Sequence, residues 1–179
     1  ASCLVGSEMC IRDRHKEVYN TEEEYNKYIY GSADVVGLMC LKVFLQGDDK
    51  KYEALKPYAM SLGSAFQKVN FLRDIKDDCE VLNRSYFPNI DTNNLTSESK
   101  EEIINDIESD FKNAFVGVKL LPKDVRFGVY TAFIYYRRLF VKLKNTAAED
   151  ILNSRIRVSD PVKIGLLAKS FINFKLNLL

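Results

Sequence analysis

The stretch Phe66–Asp78, FQKVNFLRDIKDD, constrains this chain more than any other. Read as a helix, it places Asn70, Asp74 and Asp78 four residues apart on one face, with Gln67 one turn before Asn70. The other positions include Phe66, Val69, Phe71, Leu72 and Ile75, so a polar stripe runs along an otherwise apolar helix. Such a stripe is either satisfied inside a buried network or lines a cavity. Stacked carboxylates repel and stabilise nothing by themselves. A hard divalent cation offsets the repulsion, and it takes carboxylate oxygens together with phosphate oxygens. Arg73 is placed to reach a phosphate or to pair with a neighbouring acid. A second Asp-x-x-x-Asp, Asp106 and Asp110, sits among Lys100, Glu101, Glu102 and Glu108 and reads as a solvated helix face.

The 179 residues suffice for one domain with a sizeable core. Twenty-six basic and 25 acidic residues nearly cancel, which gives no reason to expect a nucleic-acid binder. His15 is the only histidine and the four cysteines (3, 10, 40 and 79) form no C-x-x-C pair, so neither a histidine triad nor a zinc site is expected. Cys40 and Cys79 read as free thiols of a reducing compartment. No apolar run is long enough to span a membrane, and the cytoplasm is the expected location.

Ala1–Arg14 has no period and fits nothing that follows; it resembles translated adapter sequence and is expected to be a non-native or disordered leader. Thr21 and Glu24 form a capping box that opens a helix reaching about Leu45. Gly31 and Gly37 inside it imply close approach of another backbone or a ligand. Asp34, among Ala33, Val35 and Val36, is expected either to form a bundle salt bridge or to join the polar cavity. A second helix starts near Asp49, and Pro57 is expected to separate a short piece from the long Tyr58–Asp78 helix. Asn83–Asp91 reads as a loop, with Arg84 just beyond the polar stripe. Thr96 caps a charged helix over Glu98–Lys119, Pro122 opens one reaching about Lys144, and Ala147–Asn153 is a short helix. Asp160 and Pro161 cap and start the last, Val162–Leu178, where lysines 163, 169 and 175 punctuate apolar residues. Its apolar density favours a core helix with snorkelling lysines over a membrane-surface helix. No strand is expected, so the fold class is all-α.

Three stretches together resemble the C-terminal part of the squalene/phytoene synthase family of head-to-head prenyl transferases, with wording closest to its bacterial carotenoid-pathway members. Tyr28–Gly37 (YIYGSADVVG) resembles the Tyr-rich lead into the family's Val-Ala-Gly-x-Val-Gly-type segment. Phe66–Asp78 resembles the second aspartate-rich motif, Gln-x-x-Asn-x-x-Arg-Asp-x-x-x-Asp, and Arg84-x-Tyr86-Phe87-Pro88 the loop after it. The resemblance covers about Lys16 to Leu179. It implies the C-terminal portion of an isoprenoid-synthase-type helical bundle over residues 15–179.

The resemblance also implies roles. Asp74, Asp78 and Asn70 would hold Mg²⁺, with Mn²⁺ as a substitute, on a prenyl diphosphate. Arg73 and Arg84 would help hold the diphosphate. Gln67, Tyr28, Tyr136 and Arg155 would stand near the reacting carbons or the departing group. The implied reaction joins two geranylgeranyl diphosphates to phytoene through a cyclopropyl diphosphate, without NADPH; farnesyl diphosphate is the alternative donor, and a non-catalytic diphosphate- or lipid-binding protein the alternative function. Oily substrates imply peripheral contact with the inner face of a membrane. Two departures stand out. No Asp-x-x-x-Asp precedes Tyr28, where the family's facing first motif is expected, and Ser32 and Asp34 replace a Val and a small residue. The chain is therefore expected to hold about half an active site, to be inactive alone, and to self-associate through apolar faces that the other half would cover.

Overall fold

In the computed structural model, the described residues are 19, 21–80, 85–88, 90 and 95–176. Among them every regular element is a helix: α1 (Glu22–Ile29), α2 (Val35–Phe44), α3 (Asp49–Glu80), α4 (Ser97–Leu120), α5 (Lys123–Asn145), α6 (Ala148–Asn153) and α7 (Asp160–Lys175). The leader, Arg84 and the end of the chain after Leu176 lie outside the described residues.

The Thr21 hydroxyl accepts the Glu24 N–H, as the capping box implies, and starts α1. α1 and α2 are one helical run interrupted by a π-helical turn at Tyr30–Asp34, whose wider ring is closed by the Val35 N–H on the Tyr30 carbonyl. The run stops where Gln46 and Gly47 take φ of 49° and 92°.

α3 is a single 32-residue helix, about 48 Å long, and Pro57 lies within it. This corrects the expected break. The proline forfeits one backbone bond, but Leu55 just before it is buried with Leu41, Leu45 and Leu121, and that packing from two neighbouring helices outweighs the local cost.

α3 is the axis of the fold: α4 packs along one side of it and α1, the π turn and α2 along another. Val69, Leu72, Ile107, Phe111, Phe140, Leu143 and Ile151 fill the centre. Two glycines set how close the layers come. A Cβ on Gly63 would stand 2.9 Å from the Ala33 carbonyl oxygen, and one on Gly37 2.9 Å from that of Ala59. Close backbone approach is thus what Gly37 compensates for, whereas Gly31 has open space beside it.

α7 departs from the expected core helix. Only Ser170 on it is buried, while Ile164, Leu167, Phe171, Ile172 and Leu176 are half or more exposed. Asp160 is its first residue and Ser159 its N-cap, with no side-chain capping bond. No described helix is long and apolar enough to cross a membrane.

Glu108 on α4 accepts hydrogen bonds from Lys144 at 2.7 Å and Arg137 at 3.0 Å on α5. Those bonds hold its carboxyl down at about 2, below its unfolded value. A depressed carboxylate stabilises the fold above the unfolded pKa and loses that contribution as pH falls toward the folded one. Urea midpoints for the wild type and Glu108→Gln should therefore differ at neutral pH and converge between about pH 5 and pH 2. A constant difference across that range would show that the clamp contributes nothing.

Candidate functional site

On α3 the helical period carries one face from Ala59 and Gly63 through Phe66 and Gln67 to Asn70, Asp74 and Asp78. Its two ends differ in chemistry. The first borders a cavity of about 690 Å³, within the usual range for ligand pockets, walled by α2, α3, α4 and α5 and almost wholly apolar. Gln67, the Tyr58 phenol and Asp124, exposed at the start of α5, are among the few polar groups on that wall. Cys40, a free thiol, lines the α2 side.

The second end carries charge. Arg73 forks onto Asp74, Nε to Oδ1 at 2.9 Å and Nη2 to Oδ2 at 2.5 Å. Arg155, from the segment after α6, adds Nε to the same Oδ1 at 2.8 Å. Two guanidinium groups thus meet one carboxylate that is only one-fifth exposed. On the neighbouring turn the Tyr136 hydroxyl of α5 donates to Asn70 Oδ1 at 3.4 Å, and its ring stacks on Phe66 at 3.9 Å. The structure therefore brings Gln67, Asn70, Arg73, Asp74, Tyr136 and Arg155 to one strip, with Asp78, partly buried, one turn further along it.

Tyr28 sits differently. Its ring packs against Tyr19, Phe71 and Tyr86, and Tyr86 in turn stacks on Phe71 at 4.0 Å, folding the Ser85–Pro88 segment back onto α3. Arg84, expected at this mouth, lies outside the described residues.

The donor set suits a hard cation in one way only. Among the described residues no group of three or more His, Cys, Asp or Glu is placed to hold a metal. Mg²⁺ commonly takes one or two carboxylates and completes its shell with water and substrate phosphate. Asp74, Asp78 and the Asn70 amide oxygen fit that arrangement, in which the phosphate is part of the site. The guanidinium groups now on Asp74 are also the groups that bind phosphate bidentately.

Beside this strip lies a polar cluster of which sequence reading recovered only parts. Lys68 is buried, and its ammonium reaches Asp106 at 2.6 Å and Asp110 at 2.8 Å. Asp106 and Asp110 are thus not merely a solvated face, which corrects the expectation. Burial would pull the Lys68 ammonium down, but the two carboxylates outweigh it and leave it raised. Asp34 forms neither expected contact. It is buried in the π turn, accepts the Ser64 hydroxyl at 2.9 Å, and burial pushes its carboxyl up. The signal available in sequence was the pair Ser64 and Lys68, four apart on the α3 face next to the main stripe.

The squalene/phytoene synthase family model matches residues 4–161. The chain belongs to this family. Family relatives include the 15-cis-phytoene synthase of Enterobacter agglomerans, 28% identical over a 170-residue alignment that covers 87% of this chain and 56% of that protein. The 4,4'-diapophytoene synthase of Staphylococcus haemolyticus is 32% identical over 99 residues, 55% of this chain and 33% of its own length. Among solved structures, squalene synthase HpnC from Alicyclobacillus acidocaldarius shares the fold, with a TM-score of 0.64 at 20% identity over 76% of this chain and 56% of that one. The all-α, isoprenoid-synthase-type bundle is thereby shown. The chain spans about half the length of the curated relatives it matches.

The buried Lys68 should behave as a charge that its partners require. Lys68→Met leaves the partly buried Asp110 without its counter-ion and should cost about 3 kcal/mol in chemical denaturation near neutral pH. Adding Asp110→Asn should restore most of it. A single variant as stable as the wild type would mean that the cluster is hydrated and carries no such energy.

Proposed function

We propose that this chain carries the diphosphate-binding half of a head-to-head prenyl transferase that joins two geranylgeranyl diphosphates to phytoene, and that alone it does not turn over. One observation carries the reading: on a single face of α3, an apolar cavity runs directly into a strip of carboxylate, amide and guanidinium groups. An amphiphile with a long hydrocarbon tail and a diphosphate head has that order of chemistry.

In this reading the tail lies along the cavity wall past Gly63, Phe66 and Gln67. Asp74, Asp78 and Asn70 would hold Mg²⁺, which on binding supplies Lewis-acid stabilisation of the leaving diphosphate. Arg73 and Arg155 hold the carboxylate in place before substrate arrives, and on binding share their donors with phosphate oxygens. The allylic carbon that loses its diphosphate becomes a delocalised cation. The stacked rings of Phe66 and Tyr136 flank that position and offer a π face to it, and the apolar wall keeps water away. Each of the two condensation steps releases one diphosphate and one proton, so no reductant is needed. Tyr28 and Arg84 are proposed to complete the diphosphate end; Tyr28 packs on Phe71 and Tyr86, beside the segment that follows α3. Activity alone is not expected, because no Asp-x-x-x-Asp precedes Tyr28, where the resemblance places the facing motif.

A second donor class has support of its own. One relative is named for the diapophytoene reaction and the structural neighbour for squalene. Farnesyl diphosphate is therefore the competing substrate.

The deciding assay gives this chain, and a version extended N-terminally to the length of its relatives, Mg²⁺ with geranylgeranyl or farnesyl diphosphate, and identifies extracted hydrocarbon by mass. The expected outcome is phytoene from the extended form only, reduced roughly 100-fold by Asp74→Asn. Hydrocarbon from the 179-residue chain would overturn the inactive half of the proposal. No hydrocarbon from either folded form would leave a non-catalytic diphosphate- or lipid-binding protein.

A further inference from the structure

α7 carries apolar residues on its outer side as well as its inner one. The inner side packs Val162 on the core and Phe174 on Phe127, and is fastened to α5 by polar contacts: Ser170, fully buried, shares a hydrogen bond with the Thr131 hydroxyl at 2.8 Å, and Asn173 donates to the Tyr130 hydroxyl at 3.1 Å. Its outer side is apolar. Ile164, Leu167 and Phe171, three to four residues apart, form one continuous ridge with exposures of 69%, 50% and 51%. Ile172 and Leu176 widen it. An exposed contiguous ridge of this kind marks an interaction surface rather than scattered surface hydrophobics.

The charges around the ridge indicate what covers it. α7 carries Lys163, Lys169 and Lys175 against one acid, Asp160, which is already paired with Lys163 at 2.8 Å. Protein interfaces are depleted of lysine at their centres. A basic helix with an apolar ridge, its lysines able to extend to head-group level, matches the surface of an anionic bilayer. Lys175 already lies over the Phe171 ring, 5.5 Å from its centroid, with its charge at the edge of the ridge. The position of the ridge adds a second argument. Phe127, on the wall of the apolar cavity, packs edge-on against Phe171 at 6.1 Å and against Phe174 at 5.6 Å. Hydrocarbon surface therefore continues from the cavity wall onto α7.

We infer that α7 is a docking helix for an anionic lipid surface, laid in the interface through Ile164, Leu167 and Phe171 next to the Phe127 side of the cavity. A long apolar molecule then passes between bilayer and cavity along aromatic side chains instead of crossing water. The docking surface stands independently of the diphosphate chemistry, because neither the ridge nor its lysines belong to the strip on α3.

The chain has no tryptophan, so Phe171→Trp makes a single interfacial reporter, and Val43→Trp on the other exposed apolar helix, α2, makes its control. Each is titrated with phosphatidylcholine vesicles with and without phosphatidylglycerol. The expected result is a blue shift at position 171 with anionic vesicles only, weakened by salt, and none at 43. In co-sedimentation, Leu167→Asp with Phe171→Asp should lower binding at least about tenfold. Lys169→Glu with Lys175→Glu should lower it about fivefold per lysine. Both substitution pairs lie on exposed positions, so circular dichroism should be unchanged. Three results would overturn the inference: no shift at 171, equal shifts at 171 and 43, or an aspartate variant that binds vesicles as well as the wild type while converting an oligomer to monomer. The last would identify a protein partner on the ridge.

Discussion

An aspartate that is one-fifth exposed and met by two guanidinium groups is the contact on which the site depends. Asp74 belongs to α3, Arg73 to the next position back, and Arg155 to the segment that follows α6. The Arg155 contact is therefore tertiary: it pins the chain after α6 against the middle of the molecule, and it aims two forked donors at the place where the apolar cavity ends. Without it the carboxylate would rest on the Arg73 fork alone, and the segment after α6 would lose this tie to α3. The same interaction thus ties two parts of the fold together and, in the proposed function, presets the diphosphate end of the site.

The cavity half of the arrangement rests on backbone contact. Gly63 lets the π turn carrying Ala33 and Asp34 come against α3, and Gly37 lets α2 meet Ala59. The π turn adds a residue to the helical run at that point, and Asp34 is carried inward to the Ser64 hydroxyl instead of outward to water. This region holds the departures from the family pattern, Ser32 and Asp34, and it also holds the buried charge of Lys68. Polar groups thus lie just behind an apolar wall, and α4 satisfies the Lys68 ammonium among them through Asp106 and Asp110.

How far these arrangements were legible in sequence follows from what each depends on. Local signals were read well. Thr21 and Thr96 cap the helices they precede, and the i, i+4 spacing of Asn70, Asp74 and Asp78 gives one face whatever the neighbours do. Tyr136 and Arg155, placed by spacing after a resemblance, lie against Asn70 and Asp74. Signals that depend on the partner helix were not legible. Pro57 reads as a break because its cost is local, whereas its compensation comes from Leu41 on α2 and Leu121 just after α4. Asp106 and Asp110 read as solvated because nothing near them in sequence announces Lys68, about forty residues earlier. α7 reads as core because composition does not record which side faces α5; Ser170 and Asn173 take the inner side and leave the apolar ridge outside.

The central claim is that one face of α3 binds a diphosphate at its charged end and a prenyl tail at its apolar end. Calorimetric titration of this 179-residue chain with geranylgeranyl diphosphate and with inorganic diphosphate, each with and without Mg²⁺, tests it most directly. The account predicts Mg²⁺-dependent binding of both, with the prenyl ligand at least about tenfold tighter because its tail leaves water. Asp74→Asn should weaken both ligands, while Gly128→Leu, at a position of the cavity wall with open space beside it, should weaken only the prenyl one. Equal affinity for the two ligands, or binding indifferent to Mg²⁺ and to Asp74→Asn, would contradict it.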